Sequence, residues 1–234
     1  MIIKTSLRTL GSETVSRAEI RQALIDVDEE VARLNRVVND VLDFARPIRF
    51  EYALADVNAI CADAEQATRG DSPAVEVGLQ LDRSIPRFAT DTERLRTALV
   101  NILMNARHAV TARRRLEGTG VSDRPPDTRT GNDIDIETAP LDAHRSPGIR
   151  ITIRDRGVGV KPADLPRVFD PYFTTKRTGS GLGLAIAKNI IEGMGGSIVL
   201  ESPPGGGTEI RLELPLVHET HQALRDAPTV ESRA

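Results

Sequence analysis

The sequence is poor in cysteine and in long apolar runs. These two shortages exclude internal disulfides and membrane-spanning helices. Cys61 is the only cysteine, so no disulfide can form within the chain and a reducing compartment is expected. No apolar run approaches the ~20 residues that a membrane-spanning helix needs. Lys4 and Arg8 interrupt the first residues, which argues against the apolar core of a signal peptide.

Length and charge set further bounds. The 234 residues allow one large domain or two small ones, and 39% hydrophobic with 28% charged residues is a balance that supports a core. The formal net charge of -3 gives no general reason to expect nucleic-acid binding. We therefore expect a cytoplasmic protein, or the cytoplasmic part of a longer, membrane-anchored one.

Residues 16–46 have the pattern of one long helix. Ser16 and Glu19 match a capping box, and Pro47 would end the helix. Apolar residues recur at alternating steps of four and three, which is a heptad seam: Ile20, Leu24, Val27, Val31, Leu34, Val38 and Val41. Such a seam must be buried against other helices. One interpretation is a packed helix within a globular domain, and the other is part of a helical hairpin that dimerises.

The rest of the chain mixes helices with strands, which favours an α+β fold over a doubly wound sheet. We predict helices over 56–69 (with Asp56 as N-cap), 91–114 (with Thr90 and Glu93 as capping box) and 184–194. Strands are predicted around Val75–Leu81, Ile134–Ile136, Ile149–Ile153, Ser197–Ser202 and Thr208–Pro215, the last two as a hairpin. Residues 115–132 are expected to form an exposed loop, and 218–234 a flexible tail.

Four sequence blocks follow one another in the second half of the chain, and each has chemistry suited to a nucleotide. They are Asn101-Ile-Leu-Met-Asn105-Ala-Arg-His108, Asp155-Arg-Gly157-Val-Gly159, Phe169-Asp-Pro-Tyr172-Phe173-Thr-Thr-Lys176 and Gly179-Ser-Gly181-Leu-Gly183-Leu184. One glycine-rich run would be weak evidence, because such runs also form ordinary turns. Four blocks in a fixed order are hard to obtain by chance.

The first block places polar side chains on one helix face. Asn101, Asn105 and His108 are spaced by four and three residues, opposite an apolar face. An asparagine oxygen is a hard, neutral ligand that suits Mg²⁺, which takes its other ligands from water and phosphates. The alternative is a solvated polar stripe, as on most amphipathic helices.

The second block combines a carboxylate with glycines at the end of a predicted strand. Asp155 could accept a hydrogen bond from the exocyclic amine of adenine, while Gly157 and Gly159 allow the backbone to approach a flat base closely. An ordinary turn has the same pattern when it stands alone.

The last two blocks lie just before a predicted helix. Gly179, Gly181 and Gly183 would leave free backbone N–H groups at the helix N-terminus, which is an anion site. No Gly-Lys-Ser/Thr follows, so this is not a P-loop. Alternatively, the glycines form a plain loop-to-helix turn, and the aromatic residues at 169, 172 and 173 form a small core.

Together the blocks closely resemble the N, G1, F and G2 boxes of sensor histidine kinases, and the resemblance covers nearly the whole chain. It implies a helix-on-mixed-sheet two-layer sandwich of the GHKL (Bergerat) ATPase type, preceded by a helical-hairpin dimerisation element. The short stretch between Lys176 and Gly179 resembles the nitrogen-regulator type, which has a short ATP lid. The end of the long helix, 41–47, resembles the second helix of the family's dimerisation domain.

The resemblance also implies the ligands, ATP and Mg²⁺, and the residues that hold them. In the family the second asparagine, here Asn105, binds the metal and Asn101 supports it. His108 stands where a basic residue often lies near the phosphates, Thr175 and Lys176 approach the phosphates, and Thr208 is a sheet residue near the nucleotide. The full set implied for the nucleotide is Asn101, Asn105, His108, Asp155, Gly157, Gly159, Thr175, Lys176, Gly179, Gly181, Leu182, Gly183, Leu184 and Thr208.

The family's phosphoacceptor histidine, within a His-Glu-x-x-Asn-Pro-Leu pattern, has no counterpart among His108, His144, His218 and His221. We expect that the chain begins a few residues too late, that no catalytic residue can be assigned, and that the chain alone does not phosphorylate itself. The expected organisation is a partial dimerisation hairpin over 1–50, a catalytic ATP-binding domain over 51–217 and a tail over 218–234.

The function implied is the ATP-binding core of a two-component histidine kinase, which passes the γ-phosphoryl group to a histidine and then to a response-regulator aspartate. The expected partners are a receiver domain and a second copy bound through helix 16–46. Two alternatives remain open. One is another GHKL ATPase or serine kinase, which would lack the block at 169–176 and the heptad helix. The other is a non-catalytic module that binds ATP, dimerises and docks a regulator.

Overall fold

The computed structural model describes residues 16–45, 49–71, 74–118, 131–141, 147–176, 179–203 and 206–216. The described residues fall into two compact units. The first lies within Met1–Pro47 and Pro171–Leu182, and the second within Ile48–Asp170 and Gly183–Ala234. The first 15 residues, Pro47, the stretch 119–130 and the predicted tail lie outside the described residues.

The first unit contains one long helix, α1 (Arg17–Ala45). The capping box at its start is confirmed: the Glu19 backbone N–H donates to Ser16 Oγ (3.2 Å), and the Ser16 N–H donates to Glu19 Oε2 (2.9 Å). The backbone hydrogen bond from Ser16 lowers the pKa of Glu19. The seam predicted along this helix is largely exposed, with Leu24 at 56%, Leu34 at 47% and Val38 at 53% of their accessible surface. It is therefore open to another helix.

The second unit is built on a five-stranded mixed sheet with the order β2-β4-β5-β7-β6. The strands are β2 (Val77–Leu81), β4 (Ile134–Leu141), β5 (Gly148–Asp155), β6 (Ser197–Glu201) and β7 (Thr208–Pro215). The β2–β4 pair is parallel and the other pairs are antiparallel. All five strands were predicted, and the final pair forms the expected hairpin.

Three helices cover one face of this sheet: α2 (Val57–Thr68), α3 (Thr92–Gly118) and α4 (Gly183–Gly193). The middle helix, α3, packs against both neighbours and against β5. Its apolar residues and the inward isoleucines of β4 and β5 form the core. Arginine–glutamate pairs cross the opposite face, such as Arg150 with Glu213 and Arg154 with Glu209. The predicted two-layer α+β sandwich is confirmed.

Three local features differ from the prediction. A second, small sheet pairs β1 (Ala53–Ala55) with β3 (Phe88–Thr90) and was not predicted, because three-residue strands carry too little pattern. Helix α3 continues to Gly118, beyond the predicted end at residue 114. Its N-cap is Asp91 rather than Thr90.

The capping of α3 explains that last correction. The Asp91 carboxylate accepts the Arg94 N–H (2.9 Å) and also the Glu51 N–H (2.8 Å). Thr90 instead lies in β3, and its hydroxyl donates to Met194 Sδ at 3.7 Å. In the described part of the chain, no helix is apolar enough over a sufficient length to cross a membrane.

Candidate functional site

The polar face of α3 meets the N-terminus of α4. A Cβ built on Gly183 would lie 2.9 Å from Asn101 Oδ1 and 3.6 Å from Asn105 Nδ2. Both asparagines are half-buried, and Asn101 Nδ2 donates to the Thr97 carbonyl (3.0 Å). The first sequence block thus lies against Gly183 of the fourth block, and the absence of a side chain at Gly183 leaves room for the Asn101 amide. His108 follows on the same helix and is exposed.

The loop that follows β5 is folded against the next turn of α3. The Gly157 N–H donates to Asp155 Oδ1 (2.8 Å), and the Val158 N–H donates to the Ala109 carbonyl (3.2 Å). A Cβ on Gly157 would lie 2.6 Å from the Ala109 carbonyl carbon, so a side chain would push the loop off the helix. Helix α3 therefore carries the asparagines and also holds the loop of Asp155.

The turn between β6 and β7 contacts the other side of this loop. The Gly207 N–H donates to the Gly157 carbonyl (2.9 Å). Gly159 has φ +74° and Gly207 has φ +82°, a backbone conformation that favours glycine. Thr208 is buried and pairs directly with Asp155 in the β5–β7 ladder. The prediction that Thr208 is a sheet residue is confirmed.

This cluster has the donors and acceptors that a nucleotide needs. A half-buried carboxylate beside glycine backbone can accept from a base amine, and the start of an 11-residue helix is an anion site. Among the described residues, no group of three His, Cys, Asp or Glu could hold a metal. The amide oxygens of Asn101 and Asn105 are hard, neutral ligands of a kind that suits Mg²⁺, which takes its other ligands from water and phosphates.

The segment Pro171–Leu182 belongs to the first unit and is described by itself. Tyr172 is 63% exposed and has φ +66°, which is costly for a non-glycine residue. Its carbonyl oxygen would lie 2.7 Å from a Cβ on Gly181, so the two ends of the segment are in contact. The Lys176 N–H donates to Thr174 Oγ1 (3.1 Å).

Five of the predicted nucleotide residues lie in this segment. Thr175 and Lys176 are exposed, Gly179 and Gly181 are half-buried and Leu182 is buried. Their roles toward a nucleotide stay predictions. Leu184, in the second unit, lies in the first turn of α4 and is half-buried.

Phe169 and Lys188 form a contact that was not predicted. The Lys188 ammonium lies 5.5 Å from the centre of the Phe169 ring and 3.8 Å from Glu192 Oε1. The first aromatic of the third block is thus attached to α4. The sequence indicated an aromatic cluster but not its cationic neighbour.

A buried arginine on α3 was also missed. Arg107 is 1% exposed, and its guanidinium donates to Thr68 Oγ1 (3.0 Å), Glu65 Oε1 (3.1 Å) and the Val75 carbonyl (3.3 Å). This ion pair joins α2 to α3 next to the polar face. The sequence pattern could have indicated this pair, because residue 107 lies one helical turn after Leu103 on the apolar face. A charge on that face requires a partner.

An open groove of about 480 Å³ lies elsewhere on the second unit. It is lined by Asp56, Asn58, Leu79, Leu81, Arg83 and Ile85. The Asn58 amide is occupied within the fold, since it donates to the Asp82 carbonyl and accepts from the Thr138 hydroxyl, both at 2.8 Å. The groove shares no residue with the cluster around Asn105 and Asp155, and none of the four sequence blocks reaches it. The cluster is therefore the candidate functional site.

Comparison with known proteins shows which family and fold the chain shares. The profile of the family "Histidine kinase-, DNA gyrase B-, and HSP90-like ATPase" matches residues 90–218. The sensor histidine kinase ZraS of Klebsiella oxytoca is 30% identical over 216 residues, which are 92% of this chain and 42% of that protein. The signal transduction histidine-protein kinase AtoS of Escherichia coli (strain K12) is 30% identical over 220 residues, 93% and 32% respectively. The chain thus spans less than half the length of these relatives.

Solved structures share the fold. Full-length ShkA, whose crystal structure is a complex with AMPPNP, aligns with a TM-score of 0.65 at 22% identity, over 93% of this chain and 42% of that one. The mycobacterial sensor histidine kinase MprB aligns with a TM-score of 0.54 at 24% identity, over 70% of this chain and 97% of that one.

Proposed function

This chain belongs to the histidine kinase-, DNA gyrase B- and HSP90-like ATPase family, and on that premise we propose that it is the ATP-binding catalytic core of a two-component sensor histidine kinase. It binds Mg-ATP and presents the γ-phosphoryl group to a histidine, from which the group passes to an aspartate of a response regulator. Relatives named as sensor histidine kinases favour this function over other ATPases of the family.

One observation carries the proposal. Helix α3 brings Asn101 and Asn105 against Gly183 at the N-terminus of α4, and one turn later it holds the loop of Asp155. In this proposal, one helix holds both the residues that bind the base and the residues that bind the phosphates. Positioning and charge neutralisation are the main contributions of a protein to phosphoryl transfer, and this arrangement supplies both.

Each residue has a distinct role in the proposal. Asp155 accepts a hydrogen bond from the adenine amine, and the backbone at Gly157 and Gly159 faces the base. The Asn105 amide oxygen holds Mg²⁺ together with the phosphates, and Asn101 supports it. The helix N-terminus at Gly183 binds phosphate oxygens. Lys176 adds positive charge, and His108, as a cation or as a neutral donor, helps to neutralise the transferred group.

The partners follow from the same proposal. The exposed seam of α1, with Leu24, Val31, Leu34 and Val38 each at least 44% exposed, is covered by a second copy of the chain, since heptad seams of this kind pair with other helices. Residues 1–50 then form the dimerisation element and 51–217 the catalytic domain. The other partner is a receiver domain, and the setting is cytoplasmic.

Phosphotransfer in trans tests this function. The chain is incubated with γ-labelled ATP and Mg²⁺, with and without an added protein that carries an intact family histidine hairpin able to pair with α1. We expect label on the added protein only, stable in base and labile in acid. The chain alone stays unlabelled, because none of its four histidines lies in the acceptor pattern.

A matched variant makes the outcome specific. Asn105→Ala is expected to abolish the label on the partner, since the metal loses its amide ligand. Asn132→Ala, which alters an asparagine outside the four blocks, is expected to leave the label intact. If ATP binds but no label reaches the partner in any combination, the catalytic proposal is wrong and the chain is a binding module.

A further inference from the structure

The side chain of Ser202 lies between the two loops that shape the candidate base site. Ser202 follows β6 directly and is half-buried. Its Oγ accepts the Val160 N–H (2.9 Å) and donates to the Gly207 carbonyl (2.8 Å). A hydroxyl has one donor and two acceptor positions, so this one serves both loops at once.

These contacts form part of a closed ring of hydrogen bonds around the glycine loop. Gly207, which Ser202 holds by its carbonyl, donates its own N–H to the Gly157 carbonyl (2.9 Å). The ring goes by a hydrogen bond from Ser202 to Val160 and then along the backbone to Gly157. Two further hydrogen bonds, through Gly207, close it at Ser202. These hydrogen bonds hold the stretch 157–160 at both ends.

The backbone at the centre of these contacts has a conformation that favours glycine. Gly159 has φ +74°, and a Cβ at this position would lie 2.8 Å from Ser202 Oγ and 3.0 Å from the Gly207 carbonyl oxygen. A side chain at this position would meet the serine hydroxyl, so a glycine lets the loop lie close to Ser202. On the opposite side the Val158 N–H donates to the Ala109 carbonyl (3.2 Å). Ser202 keeps the loop against this support.

We propose that Ser202 is a positioning residue for recognition of the nucleotide base, which it fixes by bracing the loop 155–160 against the β6–β7 turn. The inference rests on the proposed function, in which Asp155 and the glycine backbone read adenine. The Asp155 carboxylate is tied to this loop through the Gly157 N–H (2.8 Å). A loop that shifts therefore moves the carboxylate, whereas the phosphate site at Gly183 lies on another element.

The test compares two nucleotides that differ only at the exocyclic amine of the base. Calorimetric titration gives the Kd of ATP and of purine riboside triphosphate, which lacks the exocyclic amine. For Ser202→Ala we expect ATP to bind about threefold to tenfold more weakly, as for the loss of a polar bridge, while the binding of the analogue hardly changes. The preference for ATP over the analogue thus falls by the same factor.

Ser197→Ala is the matched control, because it removes an exposed hydroxyl at the other end of β6. It is expected to keep the native preference. Equal weakening of both nucleotides, or an unchanged preference in Ser202→Ala, overturns the role of Ser202 alone. If the unaltered chain itself does not prefer ATP, the adenine role of Asp155 fails, and the inference fails with it.

A measurement on the unaltered chain covers the case in which Ser202→Ala does not fold. Amide hydrogen exchange is followed for Val160 before any nucleotide is added. The hydrogen bond to Ser202 predicts protection well above that of an exposed loop amide. Exchange at the rate of an unstructured chain would contradict the hydrogen bond from Val160 to Ser202.

Discussion

Replacing the buried Arg107 with methionine tests how α3 is held in place. The variant fills similar volume but removes the hydrogen bonds to Thr68, Glu65 and Val75 and the charge that faces Glu65. Glu65 keeps its bond to Arg69 (2.8 Å), yet Arg69 is largely exposed, so solvent screens that pair. Thr68 can still donate to the Glu65 carbonyl (2.9 Å), whereas the Val75 carbonyl loses a bond.

The magnitude follows from these remaining contacts. Breaking a buried ion pair commonly costs about 3–5 kcal/mol, and the partial compensation by Arg69 places this case near the lower end. We expect the free energy of unfolding to fall by about 3 kcal/mol. Urea unfolding followed by far-ultraviolet circular dichroism measures it, with extrapolation to water.

Two further variants sharpen the test. Arg115→Met changes an exposed arginine on the same helix and is expected to alter stability by no more than about 0.5 kcal/mol. The double variant Glu65→Leu with Arg107→Met removes both charges and is expected to recover about 2 kcal/mol relative to Arg107→Met. A loss below about 1 kcal/mol for Arg107→Met would refute the reasoning, since a satisfied buried pair cannot be lost so cheaply.

Three other substitutions or treatments have expected outcomes. Asp91→Ala removes the acceptor of two backbone N–H groups and should lower the unfolding free energy by about 2 kcal/mol, with Asp91→Asn costing clearly less in the same urea assay. Burial raises the pKa of Cys61 to about 12. In mildly alkaline buffer, a thiol reagent should therefore label Cys61 slowly in the folded chain and rapidly in urea. Fast labelling of the folded chain would count against this. Gly157→Ala should weaken ATP binding in calorimetry, because a Cβ there meets helix α3, whereas Gly70→Ala, where a Cβ meets nothing within 4 Å, should leave binding unchanged.

The fold was predictable wherever one periodic pattern dominated. The alternating isoleucines at 149, 151 and 153 form the central strand β5, and the capping box at Ser16 begins α1. The cap of α3 was misassigned because Thr90 and Asp91 are both good N-cap residues. Their difference lies in tertiary contacts: Asp91 also accepts the N–H of Glu51, which is 40 residues away.

The sequence predicted the residues of the candidate site but not the contacts that hold its loops in place. Spacing placed Asn101 and Asn105 on one face, and the structure brings Gly183 against them. Spacing could not indicate Ser202, because its role depends on a loop 42 residues away in sequence. Supporting contacts of this kind arise from the fold, so a pattern along the chain does not contain them.

In the proposed function, ATP binds where α3, the loop of Asp155 and the start of α4 meet. Amide NMR shifts of the labelled chain, recorded as Mg-ATP is added, test it most directly. We predict that the signals of Asn105, Gly157 and Gly183 move together with one Kd. Shifts confined to the groove around Leu79 and Arg83, or no shifts at millimolar ATP, would contradict the account.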